Sequence, residues 1–304
     1  MRGGIMEKKY YHLFANGADA RNFITNKDEM KAAFNRVGLC CSLTGAIVVA
    51  FSVEESHPHV LLWGEYDDCL KFKSYYVDIS VRCISRRRGS LDGVKFRCEL
   101  YEVSDPSYLR NVAMYTIIQA TKDGKPVMPY DYLYGSGPLY FRSEKSVLPW
   151  LVDDEGVVCK PLRFGDLKER QKQIVCGSTS RIPEDWLVCN GYILPSNYVD
   201  VSRFEGIYIT HNCYRVFMSS GKDKYSVVQD KMALVRGVII DDLEARRLCE
   251  TITMELFGRK GTRHITSQQR IILARALRKR YSFSLRQISM LTKLPETELG
   301  EYIK

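Results

Sequence analysis

With 304 residues, 45% of them hydrophobic, the chain is long enough to bury a substantial core and to divide into roughly two domains. Its longest apolar stretch, "GAIVVAFSV" (45–53), falls far short of the roughly 20 residues a membrane helix needs, and the first residues show no secretory pattern, so a cytoplasmic protein is expected. Forty-five Lys and Arg against 36 Asp and Glu leave a formal charge of +9, which favours a polyanionic partner, while ten cysteines without a CxxC pair argue for free thiols over a disulfide framework or a zinc site.

In chain order, "KKYYHLFAN" (8–16) reads as a strand. "NKDEMKAAFNRVG" (26–38) has Asn26 and Glu29 at capping-box spacing and predicts a helix closed by Gly38. "AIVVAFSV" (46–53) and "HVLLWG" (59–64) are short apolar runs that fit adjacent buried strands. A helix follows from Asp67 to about Arg86, then a strand over "KFRCELYEV" (95–103). "DPSYLRNVAMYTIIQATKDG" (105–124) carries Asp105 as N-cap, Pro106 at the first helical position and Gly124 as its stop. Strand, helix, strand, strand, helix, strand, helix is the ferredoxin-like split βαβ order with one added helix, so the expected class is α+β.

From about Tyr130 to Val235 the periodicity weakens, apart from a small helix expected to start near Asp200; the stretch reads as a compact, irregular connector. The tail is helical again, over 240–258, 265–281 with Thr266 or Ser267 as cap, 284–293, and 295–304 after a break at Leu294 and Pro295. A basic helix followed by two short helices at a sharp turn has the shape of a helix-turn-helix. The expected division is therefore 8–141, 142–235 and 236–304.

Two residue groups carry chemistry. In "SHPHVLLWG" (56–64), His57 and His59 are two apart, so on a strand both imidazoles point to one face, as a metal site requires. In "YTIIQ", Tyr115 and Gln119 are four apart and share a helix face; a glutamine carbonyl is a hard ligand and a tyrosine oxygen a nucleophile. Basic residues gather at Lys71, Lys73, Arg82, Arg86, Arg87 and Arg88, on or just after the second helix, and at Arg278, Arg280, Arg286 and Lys293 in the tail.

In this order these residues resemble the single-tyrosine HUH transposases, the insertion-sequence and REP-associated tyrosine transposase family. The resemblance runs through "YYHLFANG", "SHPHVLLWG" and "YLRNVAMYTIIQATKDG" to about "YDYLYGSG", a little under half of the chain. It implies His57, His59 and Gln119 as ligands of a Mg²⁺ or Mn²⁺ ion and Tyr115 as the nucleophile that forms a 5′-phosphotyrosine with hairpin-bearing single-stranded DNA. It implies DNA contacts from the second-helix cations and a nucleoid-associated bacterial enzyme, and allows a homodimer as well as a monomer. The tail, over "ITSQQRIILARALRKRYSFSLRQISMLTKLPETELGEYI", resembles the helical duplex-binding module of replication initiators, with Arg278, Arg280, Arg286 and Lys293 toward DNA. One departure stands out: Pro58 lies between the histidines, where the family has a bulky hydrophobe. It keeps open a domesticated, catalytically impaired DNA-binding protein of the same fold; an HUH nickase of plasmid replication or transfer is the other alternative.

Overall fold

The computed structural model describes residues 7–15, 23–55, 57–89, 96–119, 128–143, 146–177, 181–219, 227–229, 231–232, 242–281, 285–295 and 298–299. The chain divides into two compact units, Met1–Gly221 and Lys222–Lys304. It is an α+β protein. No helix among the described residues is long and apolar enough to cross a membrane, and all ten cysteines are free thiols.

The first unit opens with β1 (Lys9–Ala15), α1 (Lys27–Ser42), β2 (Ile47–Val53), β3 (Pro58–Gly64), α2 (Tyr66–Arg88), β4 (Cys98–Val103) and α3 (Pro106–Ile117). The four strands form one antiparallel sheet in the order β2-β3-β1-β4. Phe51 pairs with Val60, Val60 with Leu13 and Leu13 with Leu100, so these side chains share one face. That face packs against α1 and α2, with the Phe34 ring of α1 5.3 Å from that of Phe51. The opposite face carries Ser52, His59, Phe14, His12 and Leu61, and lies under α3.

The helix ends follow the sequence signals in part. Asn26 caps α1 by accepting from the Glu29 N–H at 2.9 Å, but the Glu29 carboxylate accepts instead from Thr25 and pairs with Arg88 at 2.8 Å. Gly38 does not end α1, which continues to Ser42; a Cβ there would lie 2.7 Å from the Tyr198 ring, so this glycine permits close packing rather than a turn. Gly89, in the left-handed region at φ 72°, stops α2. Asp105 caps α3 as expected, but α3 ends at Ile117 with Ile118 as its C-cap; Gly124 lies outside the described residues.

The middle segment is not a separate connector over 142–235. Its described residues up to Ser219 belong to the first unit. Strand β2 is an edge, and residues 132–140 cover it: Ser136 N–H donates to Phe51 O at 2.9 Å, Val53 N–H to Tyr134 O at 2.8 Å, and the Tyr132 and Tyr140 hydroxyls to Val53 O and Val49 O, each at 2.7 Å. Beyond them come a small sheet of β5 (Leu162–Arg163), β6 (Leu187–Cys189) and β7 (Tyr192–Ile193), and helices α4 (Glu169–Cys176), α5 (Val201–Tyr208) and α6 (His211–Ser219). Asn35 of α1 ties them down, donating to Val175 O and Gly191 O and accepting from Ile193 N–H. Asp200 caps α5, as its position before the small helix suggests.

The second unit packs α7 (Asp242–Phe257), α8 (Ser267–Tyr281) and α9 (Leu285–Thr292) around Ala245, Cys249, Ile252, Leu273, Leu277 and Ile288. Thr266 and Gln269 cap α8 reciprocally, at 2.9 and 3.3 Å. The chain breaks after α9 at Lys293, whose φ is 62°, and most of the helix expected over 295–304 lies outside the described residues.

Candidate functional site

The α3-facing side of the sheet gathers polar groups that strand alternation alone would spread apart. His12 on β1 and His59 on β3 are both fully buried, with His12 Nε2 3.2 Å from His59 Nδ1 and their rings stacked 5.4 Å apart. One proton serves that contact, so one imidazole donates and the other accepts. Tyr115, on the buried side of α3, places its ring 5.3 Å from that of His59 and 6.2 Å from that of His12, edge-on to both.

His57 joins from the turn before β3, half-buried, with its ring 4.8 Å from that of His59. Pro58 opens β3 opposite Val53, at the hairpin end of the ladder, where a proline is tolerated. The proline therefore leaves the two histidine rings adjacent. Gln119 lies beyond the α3 cap rather than within that helix, and its side chain reaches back so that the amide nitrogen donates to Tyr115 O. With the nitrogen so used, Oε1 is the amide atom that could meet an ion.

Sequence reasoning missed two members of this face. His12 reads as one more residue of an alternating strand, and only the β1–β3 register, which sets it beside Leu61, brings it next to His59. Glu54, 2% exposed, accepts from Ser52 Oγ at 3.0 Å at the end of β2. Burial, reinforced by the Glu54 carboxylate, pushes the Tyr132 hydroxyl far above its ordinary pKa.

Among the described residues, no three His, Cys, Asp or Glu side chains gather as a metal site. The two imidazoles of His57 and His59 stand side by side, and the Gln119 amide, folded back on Tyr115 O, is the further donor of the expected set. An ion held by that set would have to fill its remaining positions with oxygens of water or a phosphate.

The basic residues expected at DNA are not brought to this cluster. Lys71, Lys73, Arg82, Arg86, Arg87 and Arg88 all belong to α2, which packs on the other face of the sheet. Lys71 lies 3.3 Å from Asp68, Lys73 3.9 Å from Glu99, and Arg82 donates to its own helix backbone. Arg88 is committed to structure: besides Glu29 it donates to Phe23 O and Thr25 Oγ1. Arg86 and Arg87 are exposed. In the second unit Lys293 is exposed and Arg278 half-buried, while the side chains of Arg280 and Arg286 lie outside the described residues.

Comparison with known proteins found no matching family model, no matching curated protein and no matching solved structure.

Proposed function

We propose that the first unit is a metal-dependent single-stranded DNA endonuclease and strand transferase of the HUH single-tyrosine kind, a transposase acting on hairpin-flanked DNA with Tyr115 as its nucleophile. The observation that carries this reading is the placement of the Tyr115 ring 5.3 Å from that of His59, 56 positions earlier in sequence, with the His57 ring 4.8 Å from His59 in turn. The strand order β2-β3-β1-β4 supports a ferredoxin-like split βαβ arrangement, the order that motif takes when its strands are all antiparallel.

His57, His59 and Gln119 would hold a Mg²⁺ or Mn²⁺ ion, which when bound supplies Lewis-acid stabilisation of charge on the scissile phosphate. Tyr115 attacks the phosphorus as its hydroxyl proton passes to solvent water. A tyrosine O–P bond forms to the 5′ phosphate, the P–O3′ bond breaks, and the departing 3′ oxygen takes a proton. The phosphodiester is conserved in the phosphotyrosine, so a second 3′ hydroxyl can reverse the step and join strands without ATP. Unperturbed tyrosine titrates near about 10, so placement must contribute much of the activation. His12 acts through His59: when His59 Nδ1–H donates to His12 Nε2, the His59 lone pair is fixed on Nε2.

The helix-turn-helix shape and the basic residues of α8 and α9 support a duplex-binding role for the second unit. A cytoplasmic, nucleoid-associated setting follows from that DNA partner. The test is to incubate the protein and an end-labelled hairpin oligonucleotide with Mg²⁺ or Mn²⁺. The expected product is a shortened strand bearing an extendable 3′ hydroxyl, rejoined when a second 3′-hydroxyl strand is added. Binding of the same oligonucleotides with no cut in either metal contradicts the proposal and leaves a DNA-binding protein of this fold.

A further inference from the structure

Away from the histidine cluster, a cleft of about 560 Å³ opens between residues 128–142, with Ser146 and Val147, and helix α6. Its walls are aromatic and cationic. On α6 the residues at i, i+3 and i+4, His211, Tyr214 and Arg215, line the cleft, His211 and Arg215 from exposed positions and Tyr214 from a ring packed against Phe204 and Tyr208. Across from them stand Tyr130, Phe141 and Arg142. Phe141 is held in the left-handed region at φ 47°, with its N–H donating to Glu205 Oε1 at 2.7 Å. Few side chains adopt that backbone, and such positions persist where the surroundings enforce them. Its effect is to set the Phe141 ring nearly parallel to His211, 5.7 Å away at 22°, and 4.9 Å from Tyr214.

Tyr214 is 3% exposed, and its hydroxyl has no hydrogen-bond partner among the described residues. Tyr130, by contrast, is 50% exposed, a large ring left at the rim in water. A hydrophobic partner would not call for two guanidinium groups here, and a bare anion would not call for three ring faces. A flat, polar-edged ring attached to a phosphate asks for both.

We infer that this cleft is a binding site for an unstacked nucleobase and its adjoining phosphate in single-stranded DNA. The base stacks against Tyr130 and the Phe141–His211 pair, and Arg215 meets the phosphate, with Arg142, which also donates to Ser146, beside it. The Asp131 carboxylate in the same wall accepts from the amino or imino edge of the base, a role phosphate contacts cannot fill. The location agrees: α6 packs on α3, so the cleft belongs to the Tyr115 side of the sheet, whereas the α2 cations lie on the other side. The inference rests on the reading of the first unit as a single-strand enzyme and names where that strand is gripped outside the chemistry.

The experiment compares the full chain with its Tyr130→Ala and Arg215→Ala variants, both altered at exposed positions so that folding is spared. Each is titrated with a fluorescent mixed-sequence single strand and with an abasic strand of equal length, which keeps the phosphates and lacks the bases. The wild type is expected to favour the mixed strand by about tenfold, within the range of one base–aromatic stack. Tyr130→Ala is expected to erase that preference while leaving abasic binding unchanged, and Arg215→Ala to weaken both strands alike. Equal affinity of wild type and Tyr130→Ala for the mixed strand overturns the cleft as a base site. If the same wild-type preparation still cuts the hairpin, only the cleft assignment falls; if it neither binds nor cuts, the single-strand reading falls with it.

Discussion

Along β3 the side chains alternate between Val60 and Leu62, which face α1 and α2, and His59 and Leu61, which face α3. On the first face a fully buried ring such as Phe51 meets Phe34 and Tyr198, and any apolar side chain of similar volume would satisfy the neighbours. On the second, two buried imidazoles are compatible with folding because they hydrogen-bond to each other and lie beside further polar groups. The difference separates what holds the unit together from what it holds in place: one face contributes stability by area, the other fixes a few polar atoms at the cost of desolvating them.

The largest expected effect breaks the first face. Phe51→Ala should lower unfolding free energy by about 3–5 kcal/mol, read by chemical denaturation. Tyr115→Phe, equally buried but losing only a hydroxyl, should shift it by less than about 1 kcal/mol. Comparable losses from the two would show that the second face is also a packing core. Next, His12→Asn should weaken Mn²⁺ binding by about ten- to a hundredfold, as the loss of a ligand's outer partner typically does, with little change in stability; calorimetric titration reads this without turnover. Unchanged affinity would reduce His12 to a core residue.

A smaller effect lies under the first face, at Arg88 and Glu29. Burial acts to raise the Glu29 pKa, but hydrogen bonds from Arg88 and Thr25 prevail and hold it below its ordinary value of 4.5. A carboxylate whose folded pKa is depressed contributes stability above that ordinary value, and the contribution is lost as pH falls through the folded one. Arg88→Met should therefore cost about 1–2 kcal/mol at neutral pH, discounted for the partial exposure of the pair, and shrink the loss of stability on acidification below 4.5. Equal acid sensitivity in wild type and variant would contradict it. Smallest of all, the Arg86→Ala, Arg87→Ala double variant should change single-strand affinity by less than about threefold, since screening weakens charges on the far side of the sheet. A tenfold loss would mean that the strand wraps around the sheet edge.

The strands and the capped helices of the first unit were readable from local signals: alternation in β4, the apolar runs of β2 and β3, and the Asn26 and Asp105 caps. The adjacency of the His57 and His59 rings was also readable from their two-residue spacing, although His57 stands just before β3, whereas the approach of Tyr115 to His59 depends on how α3 lies on the sheet. What was not readable depends on partners distant in sequence. His12 acquires its place from the register of β1 on β3, and Gly38 from the approach of Tyr198, 160 residues later. The middle segment looked like a connector because its short strands and turns have little periodicity of their own; its order comes from the open edge of β2, which no local pattern announces. The α2 cations show the same dependence on distant packing: charge density along a helix says nothing of which side of a sheet that helix covers.

The most direct test of the central claim is a covalent trap. Wild-type protein and Tyr115→Phe are each incubated with hairpin oligonucleotides labelled on the 3′ side of the cut and with Mg²⁺ or Mn²⁺, then resolved on a denaturing protein gel. A labelled protein band that requires metal, and is absent in Tyr115→Phe while that variant still binds the oligonucleotides, is the predicted result. A band that persists in Tyr115→Phe, or no band in a wild type that binds the same hairpins, would contradict it.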